Sequence, residues 1–120
     1  MNFDFLTPIK DTIIAHLVLQ SAQSFGRVIE VHSAQNGVPS LENIQIAIVG
    51  VQEDRNAVDN LNCGDQLFEI RKHLYQLFPG NWHTNIADLG NIIKGNTVED
   101  TYFAVKEITT YLLKNNIIPV

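Results

Sequence analysis

The sequence is short of charge, of cysteine and of long apolar runs, and each shortage excludes something. Asp, Glu, Lys and Arg make up 18% of the 120 residues, below the ~25% usual for soluble domains, so part of the surface is expected to be covered. Lys and Arg number eight, are scattered, and leave a net charge of -5. With no basic run or aromatic-interleaved basic patch, nothing points to nucleic acid. The lone cysteine, Cys63, excludes a disulfide framework and a paired-cysteine metal site. No apolar run approaches the ~20 residues of a membrane span, and Asp4 stands where a signal peptide is basic. A cytoplasmic protein without a membrane partner is expected, with 45% hydrophobic residues to fill one core.

The most informative stretch is Ile44-Gln45-Ile46-Ala47-Ile48-Val49-Gly50-Val51. Apart from Gln45 and Gly50 it is all Ile, Val and Ala, the composition of a parallel strand covered on both faces. Gly50 lets the chain turn at its carboxyl end, and the polar loop Gln52 to Asn62 follows, where open parallel sheets take their ligands.

In front of this strand, Met1 to Leu6 is expected to be a mobile start. Thr7-Pro8 opens a helix with Ile9, Ile13, Ile14, Leu17 and Val18 on one face, running to about Ala22. His16 flanks that stripe and reads as a surface residue, because no second ligand lies one turn away. Gly26 breaks the pattern, Arg27 to His32 reads as a short edge strand or arm, and Ser33 to Asn43 is a loop.

Beyond the polar loop, Asp65 is a fit N-cap for a helix over Gln66 to Phe78. Leu67, Ile70, Leu74, Leu77 and Phe78 form its apolar stripe, His73 is solvated, and Pro79-Gly80 ends it. Thr84 to Asp88 reads as a second strand ending at Leu89-Gly90-Asn91, at the spacing a right-handed crossover needs. Thr97-Val98-Glu99-Asp100 has the form of a capping box. Val105, Ile108 and Leu112, widened by Ala104 and Tyr111, are the core stripe of the last helix, with Asn115-Asn116 as a left-handed end. Ile117 to Val120 begins a third strand.

The expected fold is α/β with a parallel sheet, the first strand flanked by the second and third. Residues 1–43 read as an N-terminal helix and arm. Residues 44–120 read as the first βαβαβ portion of a larger domain, cut off at its third strand and expected to associate through the side left open there.

Several segments together resemble the N-terminal portion of the ureohydrolase family, which contains arginase, agmatinase and formimidoylglutamase. They are Ile46 to Arg55, Cys63-Gly64 leading to Ile70-Arg71-Lys72-His73-Leu74, Ala87-Asp88-Leu89-Gly90-Asn91, and Asn116 to Val120. The family's Ile-Arg-x-x-Leu is present unchanged at 70–74, whereas its Asp-x-Gly-Asp reads Asp88-Leu89-Gly90-Asn91, with a departure at the last position. The glycine-acid loop after the first strand is most similar to the formimidoylglutamase branch.

The resemblance implies a three-layer α/β/α arginase-like fold, a homo-oligomer, and a full-length parent holding two manganese ions. Those ions would activate a bridging water against the carbon of a small amidine or guanidino substrate. The family's metal-ligand motifs fall beyond residue 120, so no catalytic residue and no metal ligand is assigned here and this segment alone is expected to be inactive. Glu53, Asp54, Arg55 and Asn60 are the candidate substrate-binding residues, since in relatives this loop borders the mouth of the site. Asp54 or Arg55 would then hold a charged end of the substrate. The same residues can instead cap a turn, with Arg55 paired to a neighbouring acid at the surface. Asp88 is expected to bond nearby loop amides while Gly90 permits the turn, and Cys63 reads as a half-buried packing thiol. A different class of function stays open, namely a non-catalytic α/β binding or interaction module, including an arginase-like relative without metal ligands.

Overall fold

Residue Ile86 begins the strand on which the others depend. In the computed structural model, which describes residues 3–120, strand β4 (Ile86–Ile92) pairs along one edge with β3 (Ile46–Val51), in parallel. Its other edge is shared end to end by two short strands. One is β2 (Glu30–Val31), parallel to it, and the other is β1 (Leu6–Thr7), antiparallel. A fifth strand, β5 (Ile118–Pro119), lies parallel on the far side of β3. The result is a mixed five-stranded sheet in which β3 is flanked by β4 and β5, the order expected for the three parallel strands.

Helix α4 (Val98–Lys114) covers one face of the sheet. Thr97 caps it through the reciprocal pair with Asp100 that the sequence forecasts, and Asn116 ends it with φ of 59°. Its Ala104, Ile108 and Leu112 pack on Ala47, Ala87, Leu89 and Ile92 of the strands. Helices α1 (Asp11–Leu17), α2 (Phe25–Val28) and α3 (Leu67–Leu74) stand apart from that cluster. There Ile9, Ile13, Leu17 and Tyr75 form a second, smaller core with Phe25, Val31 and Phe68 around it.

Four sequence expectations change here. The start of the chain is held rather than loose: Leu6 is buried in β1, Phe3 stacks edge-on against Tyr111 and Phe5 against Phe103. Met1 and Asn2, which that expectation also included, lie outside the described residues. Helix α1 begins at Asp11 and ends at Leu17 rather than near Ala22. Most of the Arg27–His32 strand is replaced by helix α2 and the two-residue β2, because Gly26 allows a backbone approach that a side chain would block. A Cβ at position 26 would lie 2.6 Å from Leu17 Cδ2 and 2.7 Å from the Tyr75 ring. Residues 3–43 thus contribute β1 and β2 to the sheet and pack on both cores.

The fourth change concerns α3. A 3-10 turn, Cys63–Gln66, precedes it, so Asp65 lies inside that turn instead of capping the helix. The forecast apolar stripe points largely outward: Ile70, Leu77 and Phe78 are 59%, 60% and 67% exposed, while Arg71 and Tyr75 are buried. The strand face opposite is polar, carrying Asp88 and Asn91, and it draws the polar side of the helix inward.

That strand face exists because of a bulge. Register runs Ile48↔Asp88 and then Gly50↔Asn91, so β4 holds one more residue than β3 between these pairs. Side chains alternate faces along a regular strand, which would send residues 88 and 91 to opposite sides. The extra residue brings Asp88 and Asn91 onto one face, while Leu89 and Ile92 both reach the α4 core. Gly90 makes this possible with φ of +88°, and a Cβ there would collide with the Thr7 carbonyl of β1. Gly90→Ala is therefore expected to destabilise the protein by about 2–4 kcal/mol. Urea unfolding monitored by circular dichroism measures the loss.

Candidate functional site

Two polar constellations stand out, one inside the fold and one at the carboxyl ends of the parallel strands. The inner one joins α3 to β4. Arg71 grips Asp88 with two parallel hydrogen bonds, Nε to Oδ2 at 2.8 Å and a terminal nitrogen to Oδ1 at 2.9 Å. Two further donors go to Asn91 Oδ1 at 2.6 Å and the Gly90 carbonyl at 3.0 Å. The Tyr75 hydroxyl donates to Asp88 Oδ2 at 2.6 Å, and the Gly90 amide donates to Oδ1 at 3.0 Å.

Every member of this network is buried, and among the described residues no buried side-chain polar atom lacks a partner. Burial pushes the Tyr75 hydroxyl well above its ordinary pKa, with the Asp88 charge adding to it, so it stays a donor. Burial alone would disfavour the Arg71 charge, but its bonds to Asp88 prevail and its pKa rises. The Asp88 carboxylate thus bonds the amide of Gly90 within β4, where the sequence suggests loop amides at a turn, and it also holds α3.

Where β1 and β2 leave a gap along β4, His32 fills it. Its backbone N–H donates to the Asp88 carbonyl at 2.9 Å, and its Nδ1 lies 2.8 Å from the Leu89 carbonyl, which requires that nitrogen to carry the proton.

The second constellation is built from the loop after β3 and the loop after β4. Glu53 and Arg55 pair with each other: Arg55 Nε lies 2.8 Å from Glu53 Oε2, and Glu53 Oε1 accepts from Thr101 Oγ1 of α4 at 2.9 Å. Arg55 reaches onward to the carbonyls of Gly95 at 3.0 Å and Asn96 at 3.1 Å. Asp54 is buried and takes Lys94 Nζ at 2.7 Å and the Gly64 amide at 3.2 Å. The two loops are therefore stitched together by one ion pair, Asp54 with Lys94, and by the hydrogen bonds of Arg55 to the Gly95 and Asn96 carbonyls, while Glu53 holds Arg55 within its own loop.

Hydrogen bonds from Arg55, working against burial, hold the Glu53 carboxyl down at about 2. Lys94 likewise lowers Asp54 and is itself raised.

Of the four sequence candidates, the structure brings Glu53, Asp54 and Arg55 into this stitching, whereas Asn60 stands exposed on the loop tip. The turn-and-pair alternative describes the Glu53–Arg55 geometry, down to the Glu53 carboxylate accepting the Arg55 amide at 3.1 Å. Lys94 and Thr101 were not among the candidates. Lys94 was accessible to reasoning, being the first charged residue after the second strand, while Thr101 becomes relevant only once α4 is seated. Beside the stitched loops, a cleft of about 440 Å³ opens between Phe5, Ile92, Lys94, Asn96, Asp100 and Phe103. Among the described residues no group of three or more His, Cys, Asp or Glu side chains is placed to hold a metal ion.

Two tests follow from this geometry. Arg71→Met leaves the Asp88 charge buried and unpaired, so it is expected to cost about 3–5 kcal/mol, and the double variant with Asp88→Asn to recover part of that loss. Chemical denaturation of the three variants gives the cycle. For the loops, the carboxyl of Glu53 is lowered from 4.5 to about 2. Between those values the unfolded chain binds a proton that the folded chain does not, so this contribution is complete above pH 4.5 and fades as the pH falls through about 2. Amide protection across Gln52 to Asn62, taken relative to intrinsic exchange at each pH, should fall over that window, and Glu53→Gln should reduce this pH dependence, leaving the part due to Asp54.

No family model, no curated protein and no solved structure matches this chain.

Proposed function

We propose that this chain is the N-terminal segment of a manganese-dependent ureohydrolase-type enzyme that hydrolyses carbon–nitrogen bonds in linear amidines, of the formimidoylglutamase, agmatinase or arginase kind. The reading includes the three-layer arginase-like sheet. One observation carries it: the motifs behind the resemblance, distant in sequence, are physically joined. Arg71 of Ile-Arg-x-x-Leu binds both Asp88 and Asn91 of the Asp-x-Gly-Asn segment. The departure at position 91 suits this geometry, since one buried guanidinium already neutralises Asp88, and a neutral amide oxygen at 91 adds no second charge.

The loops after β3 and β4 meet where open α/β sheets take their ligands. In this reading Arg55, whose side chain keeps 32% of its surface exposed, holds a carboxylate end of an amino-acid-like substrate away from its cationic amidine, and Asn60 lines the same mouth. Glu53 and Asp54 hold the rim in shape.

The described residues offer no ligand set for a manganese pair. The proposal accordingly places the ligands past Val120 in the parent polypeptide, and no hydrolytic step is assigned to residues of this chain. That same lack, together with the internal pairing of Glu53, Asp54 and Arg55, favours a second reading as a non-catalytic α/β binding module.

The deciding experiment is manganese content and amidine hydrolysis of the natural polypeptide that carries this segment. About two manganese ions per chain, with release of urea or formamide, are expected. A protein that binds no metal and turns over none of these substrates overturns the enzymatic reading in favour of the second.

A further inference from the structure

Of the asparagines in this sequence only Asn36 is followed by glycine. Asn43, Asn85, Asn91 and Asn116 each precede an isoleucine, whose branched Cβ crowds the amide nitrogen between the two residues. The fold leaves the Asn36-Gly37 pair on a turn between β2 and β3. Asn36 is exposed, and its side-chain amide has no hydrogen-bond partner among the described residues. Gly37 has φ of +72°, and a Cβ there would meet nothing within 4 Å beyond its chain neighbours.

Local bonds alone close the turn. The Gly37 amide donates to the Ser33 carbonyl at 2.8 Å, and the Asn36 amide donates to Ser33 Oγ at 3.0 Å. On either side the chain is anchored independently: His32 is bonded to β4, and Val38 packs against the larger core. The turn can therefore open without disturbing the sheet, since its release breaks two bonds near the surface and uncovers no large apolar side chain. Opening frees the Gly37 nitrogen, which reaches Asn36 Cγ by closing a five-membered ring.

We propose that Asn36 is a site of spontaneous covalent modification, converted through a succinimide to aspartate or isoaspartate. The Gly37 nitrogen bonds to Asn36 Cγ, and the bond from Cγ to the side-chain nitrogen breaks. That nitrogen leaves as ammonia, carrying the proton that the Gly37 amide gives up. One water molecule then opens the ring. Attack at Cγ restores the ordinary main chain and leaves aspartate, whereas attack at the main-chain carbonyl carbon leaves isoaspartate, with the main chain running through Cγ. Nothing is oxidised or reduced. Each event adds one negative charge to a chain already at -5, and isoaspartate lengthens the turn that leads toward β3.

The test is incubation of the purified protein at physiological temperature over a series of mildly alkaline pH values. Intact mass and fragmentation of the tryptic peptide 28–55 then follow the change. The expected result is the mass gain of an amide-to-acid exchange at residue 36, faster as hydroxide rises, with both aspartate and isoaspartate present. A synthetic peptide of residues 32–40 gives the rate of the open turn, and the folded chain should be slower by about tenfold, the protection that one or two hydrogen bonds near the surface give. Asn36→Gln, which would need a larger ring, should keep the circular dichroism and abolish the gain at this position. No gain in the folded chain while the peptide converts overturns the proposal. So does a gain that maps to another asparagine, or one that yields aspartate without isoaspartate.

Discussion

The buried pair of Arg71 and Asp88 is the interaction on which the rest of the structure depends. Two charges removed from water are costly unless their hydrogen bonds are nearly complete, and here the guanidinium finds Asp88, Asn91 and the Gly90 carbonyl while the carboxylate gains Tyr75 and an amide. Satisfying that demand fixes how α3 lies on β4. It also requires Asp88 and Asn91 on one face, hence the bulge, hence a residue that accepts a positive φ at position 90. Apolar packing alone would tolerate several orientations of a short helix, but a two-toothed ion pair tolerates few.

The same strand then organises the outer polar cluster. With β4 held from below by α3 and from above by α4, the loop that follows it is placed beside the loop that follows β3. The Asp54–Lys94 pair and the reach of Arg55 to the Gly95 and Asn96 carbonyls make the two loops one rim. A rim held by paired charges stays in shape without a ligand, and it presents to solvent the backbone and the uncommitted side of Arg55 rather than a free carboxylate. Ligand recognition at this edge, whether by an enzyme or by a binding module, therefore begins from a largely preformed surface.

Much of the parallel core was legible in the residues themselves. The run of Ile and Val at 44–51, the capping box at 97–100 and the stripe of Ala104, Ile108 and Leu112 each identify an element because their physics is local or periodic. The order of the three parallel strands follows from right-handed crossovers once α3 and α4 take opposite faces of the sheet. Helix α3 departs from its sequence pattern for a physical reason. Periodicity finds the apolar face of a helix and assumes that this face is buried, whereas here the buried face is the one bearing Arg71 and Tyr75. The two-residue strands β1 and β2 carry no pattern of their own and exist because β4 leaves an edge to be filled.

The sequence by itself determined the α/β character, the caps of the last helix and the loop positions at which polar groups gather, since these depend on neighbours along the chain. Only the tertiary structure decided which acids meet which bases. Asp88 and Asn91 become partners of Arg71 through a one-residue bulge, and Asp54 reaches a lysine forty residues on. The pairings of Arg71 with Asp88 and of Asp54 with Lys94 depend on distances through space between residues remote in sequence, and no local propensity encodes them.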